Sequence, residues 1–324
     1  MKSMSDAPAP VKAAFERVCG GAHVVTIGNF DGVHLGHRFL IDIVRGRAAA
    51  EGARSMVITF EPHPISVLRP DAPFDRLSTP ELKLSLLEAA GVDDIVVIPF
   101  DHAFAALSPE AFLRLVVEEA HPVAIYVGEG FRFGRARAGD GSTIVEHGRV
   151  LGYDGQVITR LADEHGEVVS SSAIRQALRE GAVERAARML GRRYRLRGTV
   201  EHGVARGREL GYPTANLHLP RWACVPGDGI YAGYAHVKQR AQQPMQAMIY
   251  IGTRPTFDNG ERLVEVNILD FDGDLYTLDL EVEFVAFVRG DMAFDSVEDL
   301  VAQIADDETK TRARLLAEAS EDAR

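Results

Sequence analysis

Cysteine is nearly absent: Cys19 and Cys224 are the only two in 324 residues, and they lie in opposite halves of the chain. That excludes a disulfide framework or a zinc ribbon, both of which need clustered thiols, and leaves two free thiols. Long apolar runs are absent as well. None approaches the ~20 residues that a bilayer-spanning helix requires, so no membrane partner is expected. Positive charge is not in excess either. A formal net charge of −11 argues against a general nucleic-acid binder and against attraction to an anionic membrane surface. The first ten residues are polar and proline-rich, lack the apolar core of a signal peptide, and read as the flexible start of a cytoplasmic protein. There is no internal repeat and no low-complexity tract.

What is present is ordinary for a globular protein, with 46% hydrophobic and 26% charged residues. The length exceeds the ~250–300 residues at which single cores stop growing, which predicts two domains. Apolar strands alternate with helices up to about residue 180. Strands are expected at 23–27, 54–60, 94–100, 122–128 and 156–161. Helices are expected from 36 to 50, from 80 to 90 behind Thr79, and from 109 to 119 behind Ser108. Strands that are apolar on both faces, separated by helices, indicate a parallel sheet covered on both sides. From about Tyr194 the grammar changes to strand-like segments at 230–237, 246–251, 262–270 and 276–288, joined by turns such as 258–260 and 272–274. That pattern predicts an antiparallel sheet or small barrel, followed by an amphipathic helix from 296 to 319. The expected organisation is a flexible segment 1–19, a doubly wound α/β domain 20–188, and a small antiparallel β-barrel domain with a terminal helix, 189–324.

The string GNFDGVHLGH, residues 28–37, follows the first apolar strand and opens the first helix. Strand, glycine turn, helix is how doubly wound folds bring anions to free N–H groups at a helix N-terminus. His34 and His37 would sit within that first turn, and Phe39, Leu40, Ile43 and Val44 would share the buried face of the helix. The bland alternative is one exposed and one core histidine flanking a turn. A second stretch, SSSAIRQALREG at 170–181, has the hydroxyls of a capped helix start. Arg175, however, stands in the first turn, where the helix dipole disfavours a cation, and a bound polyphosphate accounts for it better than capping does. Together the two stretches suggest nucleotidyl transfer. That chemistry needs alignment and charge neutralisation but no enzyme nucleophile when the acceptor is itself a phosphate.

In the second half, HGVARGRELGYPTANL at 202–217 combines curl and charge. Gly203, Gly207 and Gly211 let the backbone approach a ligand, Arg206 and Arg208 bring charge, and Pro213 stiffens the approach to Thr214 and Asn216. Those two offer oxygen ligands suited to Mg²⁺ shared with substrate phosphates. The arginines between Arg192 and Arg208 favour an anion over a nucleic-acid groove, which would need interleaved aromatics where only Tyr194 stands.

The pattern G-x-F-D-G-x-H-x-G-H followed by S-S-x-x-I-R resembles the adenylyltransferase domain of the prokaryotic bifunctional riboflavin kinase/FAD synthetases. TFEPHP at 59–64, RLSTPELKLSLL at 76–87, IPFDHAFAALSPEAF at 98–112 and GEGFRFGRARAGD at 128–140 support the likeness. P-T-A-N at 213–216, IGTRPTFDNG at 251–260 and EVNILDFDGDLY at 265–276 resemble the kinase domain of the same family. The resemblance implies an enzyme that phosphorylates riboflavin to FMN and adenylylates FMN to FAD, with ATP as co-substrate, Mg²⁺ as cofactor and pyrophosphate released. It implies that Gly28, Phe30, Asp31, Gly32 and Gly36 line the first ATP site. His34, His37 and Arg175 would act on the phosphates there, with Ser171 and Ser172 closing over them. In the second half it implies ATP at Gly203, Arg206, Gly207, Arg208, Gly211 and Pro213, Mg²⁺ on Thr214 and Asn216, and Glu265 as general base. Five positions depart from the family pattern, one of them Ala293, where lysine is usual. Ser172 stands for the usual threonine, Gly130 for aspartate or asparagine, Thr277 for glycine, and Asp291 for glutamate. No substrate contact is assigned to Gly130. The rival expectations are a single-activity enzyme with one decayed domain and a flavin-sensing or flavin-storing protein.

Overall fold

The computed structural model describes residues 9–16, 18, 20–201, 210–237, 243–253 and 262–322. By its contacts the chain divides into two compact units, 1–171 and 172–324.

In the first unit, five parallel strands stand in the order β3-β2-β1-β4-β7: β1 is His23–Ile27, β2 Arg54–Glu61, β3 Asp94–Pro99, β4 Pro122–Gly128 and β7 Asp154–Ile158. A two-stranded ribbon, β5 (Arg132–Phe133) and β6 (Gly139–Asp140), stands apart from the sheet. Every residue of β1 is buried, as a central strand covered on both faces requires. Its side chains alternate. Val25 and Ile27 pack with Met56, Ile58, Phe112 and Leu113 on one face, and Val24 packs with Leu40, Val44 and Ala124 on the other. Between β1 and β4 the order reverses direction, and at such a switch point doubly wound sheets open a crevice beyond the strand carboxyl ends.

The helix that follows β1 begins one residue earlier than its spacing predicts, at Leu35, and runs to Glu51. Its buried face is Leu40, Ile41, Val44 and Ala48, whereas Phe39 is 42% exposed. Leu40 and Val44 of the expected face are buried and Ile43 packs beside them, but Phe39 stays outside, and Ile41 instead meets Phe30, Val33 and Val57 beneath the loop. The fifth strand also lies slightly earlier than 156–161. A further helix, Gly141–Leu151, precedes it and is held by a capping box between Asp140 and Thr143.

The second unit is built around a closed antiparallel barrel of six strands in the order β10-β11-β12-β9-β8-β13. These are β8 Tyr194–Glu201, β9 Ala215–His218, β10 Gly229–Val237, β11 Met245–Thr253, β12 Arg262–Ile268 and β13 Asp279–Arg289. The terminal helix Val297–Asp322 buries Leu315 against Ala232, Val285 and Ala286, and Arg289 forks onto the fully buried Asp307. The helix Val183–Leu190, closed by Gly191 in the left-handed region, belongs to this unit too. It buries Val183, Ala186, Met189 and Leu190, and the Glu184 carboxylate accepts the Phe287 N–H at 3.1 Å.

One expectation is corrected here. The arginines that open the second half do not all await an anion. On β8, Arg195 meets Glu281 and Glu283 and Arg197 meets Asp279, all on the neighbouring β13, while Arg193 just ahead of β8 meets Glu283 and Glu318. They are cross-strand and strand-to-helix ion pairs, which the alternation of β8 produces once it is paired with an acidic strand. The turn expected at 258–260 lies outside the described residues.

Candidate functional site

The loop after β1 is compressed. Phe30 has φ 51° and Val33 φ 37°, left-handed values that non-glycine residues rarely adopt, and Gly32 has φ 82°. Burial holds the two strained residues, since Phe30 is 1% and Val33 0% exposed. Gly28 and Gly36 permit close approach. A Cβ at Gly28 would meet the Phe30 ring at 3.1 Å, and one at Gly36 would meet the His34 ring at 3.2 Å.

His34 is the N-cap of the helix, and its Nδ1 accepts the backbone N–H of His37 at 3.3 Å. That bond puts the proton of the neutral imidazole on Nε2, so His34 presents a donor from the helix N-terminus. The His37 ring stacks on it at 3.6 Å between centroids, 16° from parallel. Two imidazoles are therefore locked together at the positive end of a helix, at the switch point of the sheet.

Backbone and side-chain ties fix this loop from below. The Asp31 carboxylate, 3% exposed, accepts the Leu77 N–H at 3.0 Å, and Gly32 N–H donates to Ser78 Oγ at 3.1 Å. Ser171 Oγ donates to the Asp31 carbonyl at 3.0 Å and starts the helix Ser171–Arg179. Ser172 is exposed and Arg175 half-buried on that helix, with Arg175 one turn beyond Ser171 on the same face.

Glu61, Arg76 and Lys83 form a buried ionic cluster at the end of β2. Their strings, 59–64 and 76–87, carry the family resemblance without marking any of the three as functional. The signal available was a lysine on the inward face of the helix Pro80–Ala89. Gly130 has φ 83°, and a Cβ there would meet the Arg160 guanidinium at 2.6 Å.

In the barrel, strand register brings the predicted residues together. Glu265 on β12 stands directly opposite Asn216 on β9, and Tyr250 on β11 stands opposite Glu265 on its other side. Glu201 on β8 extends the same rung beyond Asn216. Directly opposed residues of antiparallel strands project from one face of the sheet, with Cβ atoms ~4.5–5.5 Å apart. Val264, Val266 and Ile268 are buried, since alternate residues of a strand face opposite sides. Asn267 is buried as well, donating to the Pro213 carbonyl at 2.8 Å and so anchoring the segment that carries Thr214 and Asn216. Burial pushes the Tyr250 hydroxyl up to about 12, with the negative Asp291 and Glu265 adding to it. Tyr250, Glu201 and the anchoring role of Asn267 were not foreseen, because only pairing across strands reveals them. Gly211 has φ 84°, and Pro213 is exposed beside the half-buried Thr214. Gly203, Arg206, Gly207 and Arg208 lie outside the described residues.

A parallel α/β sheet with a histidine-bearing loop at its switch point, joined in one chain to a closed antiparallel barrel, defines a two-domain nucleotide-dependent transferase. Comparison with known proteins makes this specific. The FAD synthetase family matches residues 18–173 and the riboflavin kinase family residues 190–315. The chain is 37% identical over 290 residues to the bifunctional riboflavin kinase/FMN adenylyltransferase of Escherichia coli (strain K12), which spans 89% of this chain and 91% of that protein. It is 34% identical over 288 residues to the enzyme of the same name from Bacillus subtilis (strain 168), spanning 88% and 90%. A solved Streptococcus pneumoniae structure described as a macrolide-efflux protein superposes with a TM-score of 0.79 at 32% identity, over 92% of this chain and 96% of that one. Among the described residues of the present chain, no helix is long and apolar enough to cross a membrane.

The chain belongs to the bifunctional riboflavin kinase/FMN adenylyltransferase family. It is an enzyme with both activities, phosphorylating riboflavin to FMN and joining FMN to the AMP moiety of ATP to give FAD.

Proposed function

We propose that the two reactions use two separate sites, one in each unit. In the α/β unit, His34 and His37 donate to ATP phosphate oxygens while the FMN phosphate attacks the α-phosphorus and pyrophosphate leaves. Donors preorganised towards developing charge act on the transition state without reorganising, and no covalent intermediate is needed. Gly28, Phe30, Gly32 and Gly36 shape the approach, and the Ser171 hydroxyl, tied to the Asp31 carbonyl, closes it. Asp31 acts through the loop, since its carboxylate is engaged with the Leu77 N–H.

In the barrel, Glu265 orients the riboflavin 5′-hydroxyl and accepts its proton as the bond to the γ-phosphorus forms. The segment Gly203, Arg206, Gly207, Arg208, Gly211 and Pro213 holds the nucleotide. Magnesium fits the donor set of Thr214 and Asn216, a hydroxyl and an amide oxygen beside a carboxylate. When bound, it neutralises charge on the transferring phosphate. ATP as common co-substrate supports a cytoplasmic site of action. The partners assigned are riboflavin, FMN, FAD and ATP, and the net charge of −11 supports leaving nucleic acid out.

One observation carries the kinase assignment: Glu265 and Asn216 are register partners, so the base and the metal-side amide share a rung of the barrel wall. The test of the whole reading is a time course with riboflavin, ATP and Mg²⁺. FMN is expected to rise before FAD, with one pyrophosphate released per FAD. FMN accumulating without FAD would contradict the adenylyl site. FAD made from added FMN but not from riboflavin would contradict the kinase site.

A further inference from the structure

Lys83 is fully buried (0% exposed). A buried ammonium is costly to keep, and apolar replacements of buried ion pairs are often as stable or more so. Its surroundings show what it does. The three N–H bonds of Lys83 meet three consecutive residues at the end of β2: Thr59 Oγ1 at 3.3 Å, the Phe60 carbonyl at 3.0 Å and Glu61 Oε1 at 2.6 Å. Arg76 forks onto the same carboxylate at 3.0 and 2.6 Å. Burial raises the Glu61 pKa, but the hydrogen bonds from Arg76 and Lys83 outweigh it and hold the carboxyl below its ordinary range. Glu61 is thus the fixed counter-ion of the group.

The consequence runs through Thr59, itself 0% exposed. Because its Oγ1 accepts from Lys83, its own proton is directed elsewhere, and it donates to the Asn29 carbonyl at 3.2 Å. In a trans peptide the C=O and the following N–H point in opposite directions. Fixing the Asn29 oxygen on Thr59 therefore aims the Phe30 N–H away from β2. Phe30 is the residue held at φ 51°, a conformation that persists only when its surroundings over-determine it.

We propose that Lys83 is a positioning residue for adenylyl transfer, acting through the Thr59 hydroxyl to orient the Asn29–Phe30 peptide of the phosphate loop. It touches no reactant. This inference rests on reading residues 28–37 as the phosphate site.

The test uses the full chain and the variants Lys83→Met, Thr59→Val, Thr59→Ser, the Lys83→Met/Thr59→Val pair, and His34→Ala/His37→Ala. FAD formation from FMN, FMN formation from riboflavin, and thermal melting are measured on each. Misplacement of a reacting group by about an ångström costs on the order of 10²-fold. Lys83→Met should lower kcat for FAD formation by about 10–100-fold, with little change in the KM for FMN. Thr59→Val should lower it by about tenfold and Thr59→Ser should restore it, since only the hydroxyl matters. The double variant should fall no further than the worse single one, because both cut the same chain of hydrogen bonds. FMN formation should be unchanged throughout, and Lys83→Met, which removes one partner of a buried ion pair, should melt lower than the parent while Thr59→Val, which leaves the pair intact, carries the loss of rate without that drop. FAD formation by Thr59→Val at the parental rate would overturn the proposal, as would losses that multiply in the double variant. Should Lys83→Met fail to fold, the Thr59→Val and Thr59→Ser comparison decides alone. An unimpaired His34→Ala/His37→Ala enzyme would instead overturn the phosphate-loop reading itself.

Discussion

Both halves of the chain handle ATP, yet their described site residues are fixed in different ways. In the α/β unit the proposed site is a strained loop, and its shape depends on residues beneath it: Asp31 on the Leu77 N–H, Ser78 on the Gly32 N–H, and Thr59 on the Asn29 carbonyl. In the barrel the proposed site is a rung, and Tyr250, Glu265, Asn216 and Glu201 are aligned by the ladder itself. A loop positioned by tertiary ties should be sensitive to substitutions that never meet the substrate. A rung positioned by register should respond mainly to the residues on it, because strand pairing survives side-chain replacement.

The sharpest way to break this comparison is His34→Ala/His37→Ala. Each well-placed donor contributes ~10²–10³ in rate, so FAD formation from FMN should fall by about 10⁴ or more. Riboflavin phosphorylation should continue, leaving FMN to accumulate, and separation of the flavins by chromatography reads both. Next is Glu265→Gln, which keeps shape and hydrogen bonding but cannot take a proton. Kinase kcat should fall by about 10²–10⁴ with riboflavin affinity little changed, while FAD formation from FMN is untouched. A few-fold loss would reduce Glu265 to a positioning group.

A smaller effect separates two ways of cutting the chain. A fragment 172–324 keeps the helix that buries Val183, Ala186 and Met189, each 0% exposed, whereas a fragment 190–324 loses it. Burying an aliphatic side chain contributes ~1.5–3 kcal/mol. The shorter fragment should therefore melt at least ten degrees lower, or fail to fold, while the longer one makes FMN at the full-chain rate. Equal melting of the two would show that the helix adds nothing to the barrel. The smallest expected effect is at Thr277, a β-branched residue at φ 65°. Thr277→Gly removes a clash costing ~1–2 kcal/mol and gives back part of that as chain entropy. The barrel should gain about 1 kcal/mol, read as a small rise in its melting temperature.

Much of this was legible in the sequence where local signals agree with burial. β1 and β4 fall at their expected residues, and the helix Pro80–Ala89 starts where Thr79 and Pro80 announce it. The helix Gly141–Leu151 was not foreseen, because glycines at 141 and 148 lower its propensity. The Asp140–Thr143 capping box was the signal for it. In the sequence β8 is only a run of basic charge, since its alternation makes sense once β13 supplies Asp279, Glu281 and Glu283 opposite. At the first site the histidines and glycines could be read from their spacing. The Lys83, Thr59 and Asn29 chain could not, because it links three segments far apart in sequence. Thr277 is a different case: a glycine expected there is explained by its positive φ, and the threonine that replaces it keeps the conformation.

The central claim is that one chain holds two chemically independent sites, which a complementation experiment tests most directly. Glu265→Gln and His34→Ala/His37→Ala are each given riboflavin, ATP and Mg²⁺, singly and then mixed in equal amounts. Neither alone should make FAD at an appreciable rate, the first for want of FMN and the second for want of adenylyl transfer. The mixture should make it, after a lag while FMN passes through solution. A mixture that makes no FAD, although each variant keeps its own half-reaction, would contradict the account.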